Sequence, residues 1–140
     1  MSARVLHHVD IRVSDLAASR AFYETVLASL GFGVMSERPD PNGGGEVAFG
    51  ADDGGEFAIH EPTPHPGQDT VTRGAHIAFQ ASDRAAVDGF HAAAAAAGAR
   101  SIGEPGLRSA YADDYYGAFV LDPDGNNIEA VCHLDASGGG

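Results

Sequence analysis

A chain of 140 residues that is 44% hydrophobic has material for one domain, or for two small half-domains sharing a core, and is too apolar for wholesale disorder. Twenty acidic residues face eight basic ones, a formal net charge of -12, and all eight are arginine. Without lysine, Schiff-base catalysis and the lysine-dependent phosphate loop are excluded, and without a basic stripe neither nucleic acid nor an anionic membrane surface is an expected partner. The single cysteine, Cys132, excludes an intrachain disulfide and a cysteine-rich metal site. The longest uninterrupted apolar run, Ala92 to Ala97, is far short of the roughly 20 residues that span a bilayer. Met1 to His8 has neither the basic nor the apolar region of a secretory signal, so the expectation is a cytoplasmic protein.

The chain contains itself twice. His8 to Ala18 aligns with His76 to Ala86 at an offset of 68, with His, Ser, Asp and both Ala identical. Phe22 then falls on Phe90, and with one gap Gly31 falls on Gly98. Each copy opens with a period-two strand. Val9, Ile11 and Val13 share one face, joined by His7, while His8, Asp10 and Arg12 share the other. In the second copy Ile77 and Phe79 oppose His76, Ala78 and Gln80. A Ser-Asp pair follows in both, and either residue suits a helix N-cap.

The first helix carries Leu16, Phe22, Tyr23, Val26, Leu27 and Leu30 at helical spacing and stops near Gly31. The second carries Val87, Phe90, Ala94 and Ala97 and stops at Gly98; glycine at both places suits a left-handed cap. Two or three antiparallel strands follow each helix. In copy one, Pro39 to Gly45 reads as a loop, Glu46 to Phe49 as a strand, Asp52 to Gly55 as a hairpin turn and Phe57 to His60 as the last strand. In copy two, strands over Tyr115–Leu121 and Ile128–His133 flank Asp122-Pro123-Asp124-Gly125, whose Asp-Gly is a strong turn signal. The reading is one α+β domain over residues 1–135: module 1 at about 4–61, a proline-rich linker at 62–73, module 2 at about 74–134, and a disordered tail at 136–140.

Position singles out four polar residues. His8 and His76 are repeat equivalents on the polar faces of the opening strands. Ile59-His60 precedes Ile128-Glu129 by 69 residues, which makes His60 and Glu129 equivalents as well. If the copies are related by a pseudo-two-fold, both pairs meet on its axis. Three imidazoles and a carboxylate suit Zn, Fe, Ni, Co or Mn, and the lack of thiolate argues against a closed structural zinc site. Of the other histidines, alternation puts His7 under the helix; His65 reads as exposed, His91 as boundary packing and His133 as a rim residue.

From His8 to His133 the residues resemble the vicinal oxygen chelate superfamily, which includes glyoxalase I, extradiol dioxygenases, fosfomycin-modifying enzymes and bleomycin resistance proteins. The stretches that carry the resemblance are His8-Val9 through Ser14-Asp15-Leu16 to Phe22-Tyr23, Leu30-Gly31-Phe32, Tyr115-Tyr116-Gly117-Ala118-Phe119-Val120 and, most specifically, Asp122-Pro123-Asp124-Gly125-Asn126-Asn127-Ile128-Glu129. The last two are similar to a small bacterial glyoxalase-like subgroup. The resemblance implies paired βαβββ modules forming a cup-shaped mixed sheet with helices outside. It also implies divalent metal ligands at His8, His60, His76 and Glu129. Glyoxalase I usually has glutamate where this chain has His60, whereas His8, His76 and Glu129 supply the two histidines and one glutamate of the dioxygenases and fosfomycin enzymes. The subgroup often carries histidines in the loop before Tyr115, where this chain has Ala110 and Ala112.

The implied function is that of a metal-dependent lyase or isomerase, acting on a small substrate with vicinal oxygens through a metal-stabilised enediolate. Glu129 is the candidate for moving the proton, with Tyr115, Tyr116 and Arg12 as candidate substrate contacts. Two alternatives stay open: a non-catalytic binder of a cationic drug, favoured by the charge of -12, and an iron(II) extradiol-type dioxygenase. A homodimer is expected from the resemblance.

Overall fold

The computed structural model describes residues 5–40, 45–51 and 54–133; the expected tail at 136–140 and parts of the 39–45 loop and the 52–55 turn lie outside them. The element order is β1(His8–Arg12), α1(Leu16–Ala28), β2(Gly33–Arg38), β3(Glu46–Ala51), β4(Gly54–His60), β5(His76–Gln80), α2(Arg84–Ala96), β6(Ser101–Leu107), β7(Tyr116–Leu121) and β8(Asn127–Cys132). This is βαβββ twice. The strands form two four-stranded mixed sheets, ordered β1-β4-β3-β2 and β5-β8-β7-β6, in which only β1–β4 and β5–β8 are parallel.

The aspartate of the repeated Ser-Asp plays the same part in both modules. Asp15 accepts from Ala18 N and Asp83 from Ala86 N, which makes the aspartate the N-cap and satisfies one free amide of each helix start. Gly31 and Gly98 close the helices at φ +87° and +85°, a left-handed conformation that costs glycine nothing. The helices bury Phe22, Tyr23, Val26 and Leu27 from α1, and Val87, Phe90 and Ala94 from α2; Ala97, expected on the apolar stripe, is instead the exposed C-cap.

The two helices pack on each other, and Phe57 of β4 meets Phe79 of β5 edge to face at 5.2 Å, so both modules contribute to one hydrophobic core. Among the described residues no strand of one module pairs with a strand of the other. Each sheet therefore turns its apolar face to the helices and leaves its second face, with Asp10 and His60 on one sheet and His76 and Glu129 on the other, away from them.

The Asp-Pro-Asp-Gly-Asn turn adds a polar tie between module 2 and module 1. Asp122 and Asp124 are both buried. Asp122 accepts from Tyr23 Oη of α1 at 2.5 Å and from Asp124 N and Asn126 N of its own turn. Asp124 accepts both the amide and the hydroxyl of Ser14, at 3.0 and 2.5 Å. Asn126 Oδ1 accepts from Ala75 N while its amide nitrogen donates to Thr72 O. The turn signal read from sequence is thus also a buried polar staple, with its lone pairs and protons matched as a dry environment requires.

Candidate half-site on the second sheet

Glu129 is 1% exposed, and a carboxylate at that depth needs donors. It has two. Tyr115 Oη donates to Oε2, and His76 Nε2 lies 2.8 Å from Oε1. β5 and β8 pair in parallel with Ala78 opposite Glu129, which carries His76 and Glu129 on neighbouring strands of the same face. Gly117 on β7 leaves the space they use: a Cβ there would come within 3.1 Å of Glu129 Oε2 and 3.3 Å of Tyr115 Cε1. The Tyr115 ring is braced edge-on by Tyr111 at 5.0 Å and by His133 at 5.2 Å, and His133 Nδ1 lies 3.2 Å from Asp114 Oδ1. Burial, then the hydrogen bond to Glu129, pushes the Tyr115 phenol well above its usual range.

Beside this pair, Asn127 sits opposite His76 in the strand register, and its Oδ1 is buried with no hydrogen-bond partner among the described residues. Sequence reasoning did not select Asn127; its parity with Glu129 was the available signal. An imidazole, a carboxylate and an unpartnered amide oxygen on one face have the hard, nitrogen-and-oxygen donor chemistry of a divalent metal site.

The remaining candidates lie on the first sheet. His60 is 7% exposed; its Nδ1 is 2.9 Å from Glu61 O, and its Nε2 is 3.8 Å from Asp10 Oδ1. Beside them a cleft of about 470 Å3 has Asp10, Arg38, Asp40, Glu46, His60 and Gln68 among its lining residues. His8 is exposed and its Nδ1 lies 2.9 Å from that of His7. His7 is itself exposed rather than under the helix, because β1 begins only at His8 and the pleat does not constrain the residue before it. Within one chain, then, the four candidate ligands form one contacting pair, His76 with Glu129. No group of three His, Cys, Asp or Glu side chains among the described residues is placed to hold a metal.

The substrate candidates separate as well. Tyr115 faces Glu129, whereas Tyr116 turns to the helix side, where its Oη donates to Asp88 Oδ1 and Arg84 covers its ring. The Arg12 guanidinium donates to Thr70 O, pinning the linker against β1. His65 is exposed, and His91 Nε2 lies 2.8 Å from Ser101 Oγ.

Comparison with known proteins bears on the whole architecture. A glyoxalase/bleomycin resistance protein from Albidiferax ferrireducens T118 superposes with a TM-score of 0.75 at 32% identity, over 91% of this chain and 98% of that one. A glyoxalase/dioxygenase from Nostoc punctiforme gives 0.66 at 26% identity, over 94% and 92%. Lactoylglutathione lyase from Agrobacterium tumefaciens gives 0.65 at 21% identity over 94% and 95%, a likeness of fold alone. No curated protein matches the chain at the level of sequence. The family model of the glyoxalase/bleomycin resistance protein/dioxygenase superfamily matches residues 5–130, which spans both modules, both helix caps and the half-site from His76 to Glu129. With the same paired βαβββ architecture in its structural relatives, the chain belongs to that superfamily.

Proposed function

We propose that the protein is a glyoxalase-like, metal-dependent lyase or isomerase of the cytoplasm, whose site is completed by a second copy of the chain. His76 and Glu129 of one protomer would hold the metal together with His8 and His60 of the other. The metal, when bound, supplies Lewis-acid stabilisation of negative charge on vicinal substrate oxygens. Glu129 moves the proton of the carbon next to those oxygens; its Oε1 faces the open side of the sheet toward His76, and Tyr115 holds Oε2 so that the carboxylate keeps one orientation. Tyr115, rather than Tyr116 or Arg12, is the candidate that meets substrate.

The observation that carries this reading is the buried Glu129 carboxylate held between an imidazole and a phenol on an otherwise open face. The need for a second copy rests on the placement of His8 and His60 on the other sheet, with no group of three potential ligand side chains assembled among the described residues. Elemental analysis of protein purified without added metal tests it. One Zn, Ni, Fe, Co or Mn per chain, lost in Glu129→Ala, is the expected result; metal-free protein with no affinity for these ions defeats it. A second reading, sequestration of a cationic small molecule, is favoured by the acidic cleft over the first sheet, and tight binding of an aromatic cation by metal-free protein would select it.

A further inference from the structure

The loop between β6 and β7 is closed at its base, where Arg108 N donates to Tyr115 O at 2.8 Å, and a turn inside it is held by Tyr111 N to Arg108 O at 2.9 Å. This puts Arg108 and Tyr115 across from each other at the edge of the second sheet's open face. The Arg108 guanidinium carbon lies 5.3 Å from the centroid of the Phe119 ring, and its Nη2 donates to Glu104 O at 2.7 Å. Phe119 is registered opposite Glu129, and its ring centroid is 6.0 Å from that of His76. The Phe119 ring is thus the shared neighbour of the Arg108 guanidinium and the His76–Glu129 pair.

Two glycines make room for it. A Cβ on Gly103 would come within 3.2 Å of Arg108 Nη2 and 2.7 Å of Phe119 Cδ1, and one on Gly106 within 3.0 Å of Nη1. The position is built, and a planar cation laid on a ring keeps its edge directed. Yet in a chain of net charge -12 no carboxylate pairs with Arg108 among the described residues; its acceptors are main-chain carbonyls. A guanidinium offers five N–H donors, and the two carbonyls leave unused ones for a bidentate anion.

We propose that Arg108 anchors an anionic group of the substrate, which makes the substrate class a small carboxylate or phosphate that also carries vicinal oxygens. This rests on the reading of His76 and Glu129 as the reacting end of the site. The test uses 3,4-dihydroxybenzoate and 4-methylcatechol, which share vicinal oxygens and differ in a carboxylate across the ring. Binding is measured by calorimetry on metal-loaded and metal-free protein. The wild-type chain is expected to bind the carboxylate at least about tenfold tighter, with a preference that falls as salt rises. Arg108→Gln erases that preference and leaves 4-methylcatechol unchanged; Arg108→Lys keeps part of it. Equal binding of both probes by the wild type, no binding of either, or equal weakening of both by Arg108→Gln overturns the proposal. If the protein takes up no metal but the Arg108-dependent preference persists, the anion site stands and the metal reading fails.

Discussion

Glu129 shows how one side chain is made usable by its neighbours. A carboxylate so deeply buried would be costly if alone, and Tyr115 and His76 offset that cost with one polar contact at each oxygen. Gly117 is the silent partner. Gly117→Ala pushes a methyl group against Glu129 Oε2 and Tyr115, so it should cost about 1–3 kcal/mol by overpacking, read as a lowered urea midpoint, and should weaken cobalt(II) uptake alongside. Tyr23 gives a second expectation. Burial, and then Asp122, raise its phenol far above the usual value of about 10, so the folded protein holds that proton more tightly than the unfolded chain. Its contribution is intact below about pH 10 and is lost as pH climbs beyond. Followed by phenolate absorbance, Tyr23 should ionise only as the protein unfolds, and Tyr23→Phe should flatten the alkaline loss of stability.

Among the elements, those legible in advance carry a clean hydrophobic period or are bounded by turn signals. β1, β5 and both helices carry that pattern because each buries one face against the core. β2 and β6 do not. Every residue of β2 is exposed, and β6 contains Gly-Glu-Pro-Gly, which reads as a turn; its proline is tolerated because the strand lies at the sheet edge, and its pairing with β7 is broken by register shifts. The caps were legible as a Ser-Asp pair; in both modules the aspartate takes the cap, and in the first Ser14 bonds Asp124 instead. Asp15→Ala and Asp83→Ala should each cost about 1 kcal/mol in denaturant titration. Asp122→Ala should cost more than about 3 kcal/mol, since it orphans Tyr23 Oη and two turn amides in one step.

For the molecule as a whole, the two modules meet through their helices and leave each half of the expected metal set on a different sheet. If two protomers complete one another, variants defective in opposite halves must complement. A His60→Ala chain mixed with a Glu129→Ala chain then forms a heterodimer with one intact site and one doubly damaged one. Metal bound to the refolded mixture, at levels neither variant reaches alone, is the expected outcome, with sedimentation confirming a dimer; a mixture as empty as its components would refute the shared site. The helices of the described residues include none long and apolar enough to cross a membrane.

Sequence alone determined the two-fold repeat of a strand and a helix followed by further strands, the α+β class and the helix limits, because periodicity, caps and an internal offset of 68 are local or self-referential signals. Tertiary structure alone decided that Tyr115 and not Tyr116 faces Glu129, that Arg12 is spent on the linker, that Arg108 is laid on Phe119, and that His8 and His60 stay apart from the other pair within one chain. Which side of a strand a residue takes can be counted along the chain. Which sheet its side chain then looks across to depends on how two modules pack, and that is set by contacts between residues far apart in sequence.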